Sequence, residues 1–418
     1  VRRPVGGLLL VVLIATALRL GAAWAIPLGR APSFNCAPDE AGHYWAAHEL
    51  ALGHDATWPA NDSIYSVYPP APYLAHAAAY ALLVPYADRP WMYREPPALE
   101  RIRGYPLVRL GSVLLGALTV LLLGLAAYAW TGSSAAALTT SAVAALYPQL
   151  LFVGAYTNGD AYTVAAGALL VLALAHWARA GEGEAHLVLL AVATATVVLG
   201  KPSGYPLLAA TLCWIGWTAL HGRIGWSAML RALATAIVGA GPVLAWNAMR
   251  TGGDVLGLAH YRAFLRGPYQ PAAVADVAHP IATFIRLLAS SAFGRFANMS
   301  LPLPTPTLGA ALALLLVGLA AALGSLRDAD GPTRRGALWL AGSSVLSVAL
   351  VALNSWRVDF QPQGRYLLLS AVLLTIVAVW APCGRRRRPW RLWPALYLGF
   401  LALAALQTEV LLFRHPCG

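Results

Sequence analysis

Charge is what this sequence has least of: only 11% of its 418 residues are Asp, Glu, Lys or Arg, while 59% are hydrophobic. So little polar surface cannot cover a soluble globule of this length, which excludes a water-soluble enzyme. Lysine is nearly absent, and Lys201 is its one occurrence among 29 basic residues. The arginines bring the formal net charge to +12, but they cluster in short stretches between apolar runs, which argues against a nucleic-acid partner. The four cysteines, Cys36, Cys213, Cys383 and Cys417, lie far apart with no metal-ligand spacing, so they define no disulfide framework and no zinc site. Also missing are a phosphate-binding glycine loop, a dinucleotide fingerprint, heptads and an internal repeat. Energy for any reaction therefore has to arrive with the substrate.

Apolar runs of about 18 residues or more recur along the chain, the length that crosses a bilayer. They predict an all-α polytopic transmembrane bundle, a single domain over 1–418. About eleven spans are expected, near 5–28, 106–130, 135–153, 160–179, 186–200, 203–221, 226–249, 307–325, 336–353, 365–382 and 391–413. The first has the basic start of a signal peptide, but its long apolar core reads as a retained helix. With Arg2 and Arg3 inside, the inner loops include Arg179 to His186, Arg327 to Arg335 and the run Arg385 to Arg388, as the positive-inside bias requires.

Residues 71–86 are apolar but short, and counting them as a span would turn those arginines outward. They are expected to form a helix in the outer interface, with Tyr68, Tyr73, Tyr80 and Tyr86 at headgroup level. The outer segments 29–105 and 250–306 are expected to fold as interfacial helices and loops covering the bundle mouth.

In this orientation most of the acids fall on the outer face. Asp39 and Glu40, in Pro38-Asp39-Glu40-Ala41-Gly42-His43-Tyr44, stand where the first helix emerges into water. Adjacent residues point in different directions, so one is expected to react and the other to orient or bind. The plain alternative is a helix N-terminus with acids favouring its dipole. His43, four residues on, is placed to hold a carboxylate or bind phosphate; otherwise it is an ordinary interfacial histidine. Asp160, in Asn158-Gly159-Asp160, adds an outer carboxylate or caps a turn. Lys201 is a candidate phosphate ligand or a snorkelling cation. Arg365 offers a rigid fork for phosphate, with Gly364 before it letting the backbone come close to a ligand, or it anchors its helix at the headgroups. Carboxylates and cations at one membrane face suit transfer of a group from a lipid phosphate to a hydroxyl. A transporter of lipid-linked sugars would instead place ionisable residues in broken mid-membrane helices with repeat symmetry. A non-catalytic envelope-assembly protein would tolerate loss of Asp39.

Six short motifs carry a resemblance. Asn35-Cys36-Ala37-Pro38-Asp39-Glu40 through His43, Tyr68-Pro69-Pro70-Ala71-Pro72-Tyr73, and Tyr147-Pro148-Gln149 with Asn158-Gly159-Asp160 come first. Lys201-Pro202, Ser291-Ala292-Phe293-Gly294-Arg295-Phe296 and Gln363-Gly364-Arg365-Tyr366 follow. In this order they resemble a bacterial family of membrane proteins of unknown function. That family is similar to the GT-C glycosyltransferases, which include protein O-mannosyltransferases and aminoarabinose lipid A transferases. The resemblance implies an inverting transferase in the bacterial inner membrane, with its site on the extracytoplasmic face. It implies a polyprenyl-phosphate sugar donor and a glycan, lipid or protein acceptor of the cell envelope. Asp39 matches the acidic base of the first outer loop, and Asp160 the second acid that assists with the acceptor or a divalent metal. Tyr68, Arg295 and Tyr366 enter as substrate-binding positions of the shared motifs, beside His43, Lys201 and Arg365.

Overall fold

The computed structural model describes residues 5–26, 37–52, 68–84, 105–180, 184–222, 224–266, 271–297, 299–327, 329–380 and 392–414. Asn35-Cys36, Tyr86, the run Arg385 to Arg388 and much of 29–105, on which expectations above rest, lie outside these residues.

Helices dominate the described residues, in the order α1 (Val5–Ala25), α2 (Glu40–Leu52), α3 (Leu74–Leu83), α4 (Tyr105–Val108), α5 (Leu110–Thr131), α6 (Ser134–Leu146), α7 (Pro148–Val153), α8 (Asp160–Ala180) and α9 (Glu184–Val198). Then come α10 (Tyr205–Leu220), α11 (Trp226–Arg250), α12 (Leu258–Arg266), α13 (Pro280–Phe293), α14 (Thr305–Ser325), α15 (Gly331–Arg357), α16 (Leu368–Trp380) and α17 (Trp393–Arg414). Every expected span coincides with a helix. Seven of the helical stretches are long and apolar enough to cross a membrane. The run expected over 135–153 is divided into α6 and α7, because Pro148 cannot donate to the helix and drives Tyr147 to an extended ψ of 115°. One short hairpin interrupts the helical pattern, β1 (Arg295–Phe296) pairing antiparallel with β2 (Leu301–Pro302).

Packing sorts the helices into centre and rim. The α8 span is 78% buried, whereas only 11% of the α11 span is, so α8 is the axis of the bundle and α11 a peripheral, lipid-facing helix. Around α8 stand α5, α9 and α16, with α1 and α6 closing on α5. Small residues permit the close approaches that apolar lipid tails do not enforce. A Cβ on Gly124 of α5 would lie 2.1 Å from Ser141 Oγ of α6, and one on Gly318 of α14 would lie 2.5 Å from the Ala378 carbonyl of α16. Turns are equally specific. Gly132 takes a left-handed φ of 67° to end α5, and Ser133 Oγ accepts the Ala136 N–H at 3.2 Å to start α6.

The 71–86 stretch folds as a single turn, Ala71–Tyr73, followed by the 10-residue α3. That helix is about 15 Å long, half of what a crossing needs. Its tyrosines are a correction to expectation: Tyr73 and Tyr80 are 2% and 0% exposed. They pack with Tyr44 and Trp45 of α2 in a satellite core instead of facing headgroups. At the opposite end of the bundle Arg179 meets Asp330 at 2.5 Å and Thr333 Oγ1 at 3.0 Å, joining two of the loops expected inside.

Candidate active site

The site begins with a backbone anomaly. Asp39 has a φ of 60°, a conformation L side chains rarely adopt, and it precedes α2, whose first residue is Glu40. The turn throws the two carboxylates apart. Asp39 is left with 41% of its side chain exposed, while Glu40 is 3% exposed and fully committed. Arg109 Nε and Nη2 donate to the two Glu40 oxygens at 2.8 and 2.7 Å, and the Thr157 N–H donates to Oε1 at 2.8 Å. Arg109 also donates to the carbonyls of Ala23 and Ile26 at 2.6 Å each. Glu40 therefore knots the end of α1, the start of α5 and the α7–α8 turn beneath Asp39.

Two charged pairs sit above this knot. Arg365 Nη2 donates to Asp39 Oδ2 at 3.2 Å, and Lys201 Nζ to Asp160 Oδ1 at 2.9 Å. The helix start at Asp160 is capped by Asn158, whose Oδ1 accepts the Ala161 N–H at 2.9 Å while its Nδ2 donates to the carbonyls of Val153 and Tyr156. Asn158 is thus the cap, and the Asp160 carboxylate is left to face Lys201. Buried polar atoms remain over: Arg365 Nε and Nη1 and Asp160 Oδ2 have no hydrogen-bond partner among the described residues. Buried donors and acceptors are normally paired, so three orphans of opposite sign in one place make this a candidate ligand site. A narrow cleft lined by Asp160, Thr163, Ser203, Leu207, Arg365 and Leu369 lies there.

The remaining expected residues divide. Tyr366 stacks under the Arg365 guanidinium, 5.4 Å from ring centroid to Cζ. Tyr68 is anchored by its carbonyl, which accepts Arg250 Nη2 at 2.8 Å. Burial raises its hydroxyl pKa well above the usual range, and the negative charge of Asp160 adds to this. His43 does not touch the Asp39 carboxylate; its Nδ1 pairs with the Tyr73 hydroxyl at 2.9 Å. Burial, with Lys201 and Arg365 nearby, lowers its pKa well below 6.5, so it is neutral and cannot serve as a cation for phosphate. Arg295 stands apart from this group: its N–H donates to Gln149 Oε1 at 3.1 Å and its Nε to the Met299 carbonyl. Gly364 also differs from expectation. A Cβ there would lie 2.0 Å from the Ala292 amide, so the glycine admits the backbone of α13 and not a ligand. Two site residues escaped the sequence reading. Arg109 lies in an apolar run, where a charge implies a buried partner. Tyr156, buried with its carbonyl accepting from Asn158 Nδ2 at 2.6 Å, had no signal beyond adjoining the Asn158 turn.

Among the described residues no three His, Cys, Asp or Glu side chains converge as metal ligands. Asp39 and Asp160 each face their own cation.

No family model and no curated protein sequence matches the chain. Solved structures do. The chain is similar over 98% of its length to ArnT from Cupriavidus metallidurans in the apo state, with a TM-score of 0.59, 14% identity and 76% of that chain covered. It is similar to the oligosaccharyltransferase AglB from Archaeoglobus fulgidus in complex with an inhibitory peptide and a dolichol-phosphate. There the TM-score is 0.52 at 14% identity, over 98% of this chain and 55% of that one. A second Archaeoglobus fulgidus oligosaccharyltransferase structure, a complex with Zn and sulfate, gives 0.53 at 15% identity, over 97% and 52%. The chain thus spans about half the length of the archaeal enzymes. Its fold is the GT-C fold of membrane glycosyltransferases.

Proposed function

We propose that the protein is an inverting glycosyltransferase that moves a sugar from a polyprenyl-phosphate donor to a hydroxyl on an extracytoplasmic glycan, lipid or protein of the cell envelope. The observation that carries this reading is the pairing of an exposed carboxylate, Asp39, with a buried guanidinium whose Nε and Nη1 remain without partners. A phosphate takes two parallel donors of this fork by pairing Nη2, which Asp39 holds, with Nε or Nη1. Its arrival on Arg365 competes with Asp39 for the guanidinium and releases the carboxylate. Asp39 then takes the proton of the acceptor hydroxyl. The acceptor oxygen attacks the anomeric carbon as the bond to the phosphate oxygen breaks on the opposite face. The electron pair leaves with the polyprenyl phosphate, whose charge Arg365 and Lys201 stabilise. Asp160 keeps Lys201 in place, and Glu40 serves as a positioning residue. Dolichol-phosphate in the AglB complex supports a lipid phosphate as donor.

The test is transfer by Asp39→Asn, which keeps shape and hydrogen bonding but cannot take a proton. Turnover is expected to fall on the order of a hundredfold with donor binding retained. Undiminished turnover would remove Asp39 as the base.

A further inference from the structure

Arg19 is a charge with no counter-charge. It sits in α1, 0% exposed, and among the described residues no carboxylate pairs with it. Its Nη1 donates to the Ala15 carbonyl at 3.1 Å, its Nη2 to the Ala144 carbonyl at 3.3 Å, and its Nε has no partner. Burying a guanidinium this way is costly, yet the fold makes room for it. A Cβ on Gly116 would lie 2.5 Å from Arg19 Nε, and one on Gly154 would lie 2.6 Å from it.

Its partner explains the position. Ala144 lies in the last turn of α6, where carbonyls lose their helical donors. The donor due to Ala144 belongs to residue 148, which is proline and has no N–H. Arg19 supplies that missing donor, and the negative end of the α6 dipole offsets part of its charge. What the break delivers is α7, and from α7 both halves of the site are held. Forward along the chain, the turn after α7 gives the Thr157 N–H to Glu40 and the Asn158 cap to the helix of Asp160. Sideways, the hydroxyl of Tyr147 donates to the Ala292 carbonyl at 2.9 Å. The α13 backbone there meets Gly364, whose N–H donates to Ser291 Oγ at 2.6 Å, one residue before Arg365.

We infer that Arg19 is a positioning residue that caps the proline break between α6 and α7 and thereby sets the spacing of the Asp160 and Arg365 sides of the site. The effect on transfer rests on the function proposed above; the effect on the backbone does not.

The experiment combines Arg19→Met, Arg19→Lys and Pro148→Ala in the full-length protein. In detergent, hydrogen exchange over 154–160 is expected to speed up about tenfold or more in Arg19→Met. With Ala at 148 the helix is free to run on and satisfy Ala144 itself. Arg19→Met should then lower thermal stability by less than half of what it does beside Pro148. Turnover behaves differently: kcat/KM for the donor falls about tenfold in Arg19→Met. It stays low in the double variant, whose α7 has moved, and recovers in part in Arg19→Lys. Exchange like the parent's in Arg19→Met, or an equal stability loss in both backgrounds, would overturn the inference. If Arg19→Met fails to insert, Arg19→Gln takes its place in the same cycle. A parent protein with no transfer at all would sink the proposed function while leaving exchange and stability to decide the role of Arg19.

Discussion

At the scale of single residues, buried charge is the informative signal. Glu40 and Arg109 are both buried and hold each other with two hydrogen bonds. Removing one partner strands the other, at a cost of about 3–5 kcal/mol, whereas removing both is milder. Glu40→Gln and Arg109→Met should each lower the unfolding midpoint more than their combination does, a pattern a thermal melt can read. Additive losses would show that the pair is not coupled. His76 supplies a pH dependence. Burial pushes its imidazole down from 6.5 to about 4, against a weaker pull upward from the Pro72 carbonyl. As pH falls below 6.5 the unfolded chain takes up a proton that the folded chain refuses, so stability is lost across the window from 6.5 to about 4. Fully expressed, that is about 3 kcal/mol. His76→Gln should flatten the stability curve across this window, although it loosens the bond to Ser112 Oγ at 2.8 Å. A curve parallel to the parent's would exclude His76 as its source.

At the scale of elements, the apolar pattern was readable and the joints between elements were not. Ten of the eleven expected spans fell mainly on one helix each because burial in lipid demands long apolar runs, and these are visible one residue at a time. Joints depend on contacts between distant segments. Gly364 looked like a ligand-facing glycine because nothing in Gln363-Gly364-Arg365-Tyr366 announces that α13 will lie against it. Asp39, Asp160, Lys201 and Arg365 were legible as charges stranded in apolar surroundings. Their division into two pairs was not, since hundreds of residues separate Asp39 from its partner Arg365. The joint is testable: Gly364→Ala forces Cβ into the Ala292 amide and displaces the neighbouring arginine. Donor binding should weaken about tenfold or more while the spans still insert. Unchanged affinity would mean that α13 yields.

At the scale of the molecule, polarity along the bundle axis decides between readings. One end carries Asp39, Asp160, Lys201 and Arg365 in two pairs, and the other carries Arg179 on Asp330. Among the described residues, the buried arginines inside the bundle, Arg19 and Arg109, are spent on carbonyls and on Glu40. A transporter needs ionisable groups reachable from both faces in turn, whereas a transferase needs them at one. The proposed function requires the site to face outward, with the arginine-rich loops inside, and single cysteines in a cysteine-free background test this directly. Cysteines at 254 and 361 should react with an impermeant reagent on intact cells, and one at 222 only after permeabilisation. The same polarity predicts the behaviour of reconstituted vesicles. With donor in the bilayer and acceptor added outside, vesicles holding the protein right side out should transfer sugar, and inverted ones should do so only once opened by detergent. Equal transfer in both sealed orientations would mean that donor and acceptor reach the charged pairs from either face, and would turn the assignment toward the transporter.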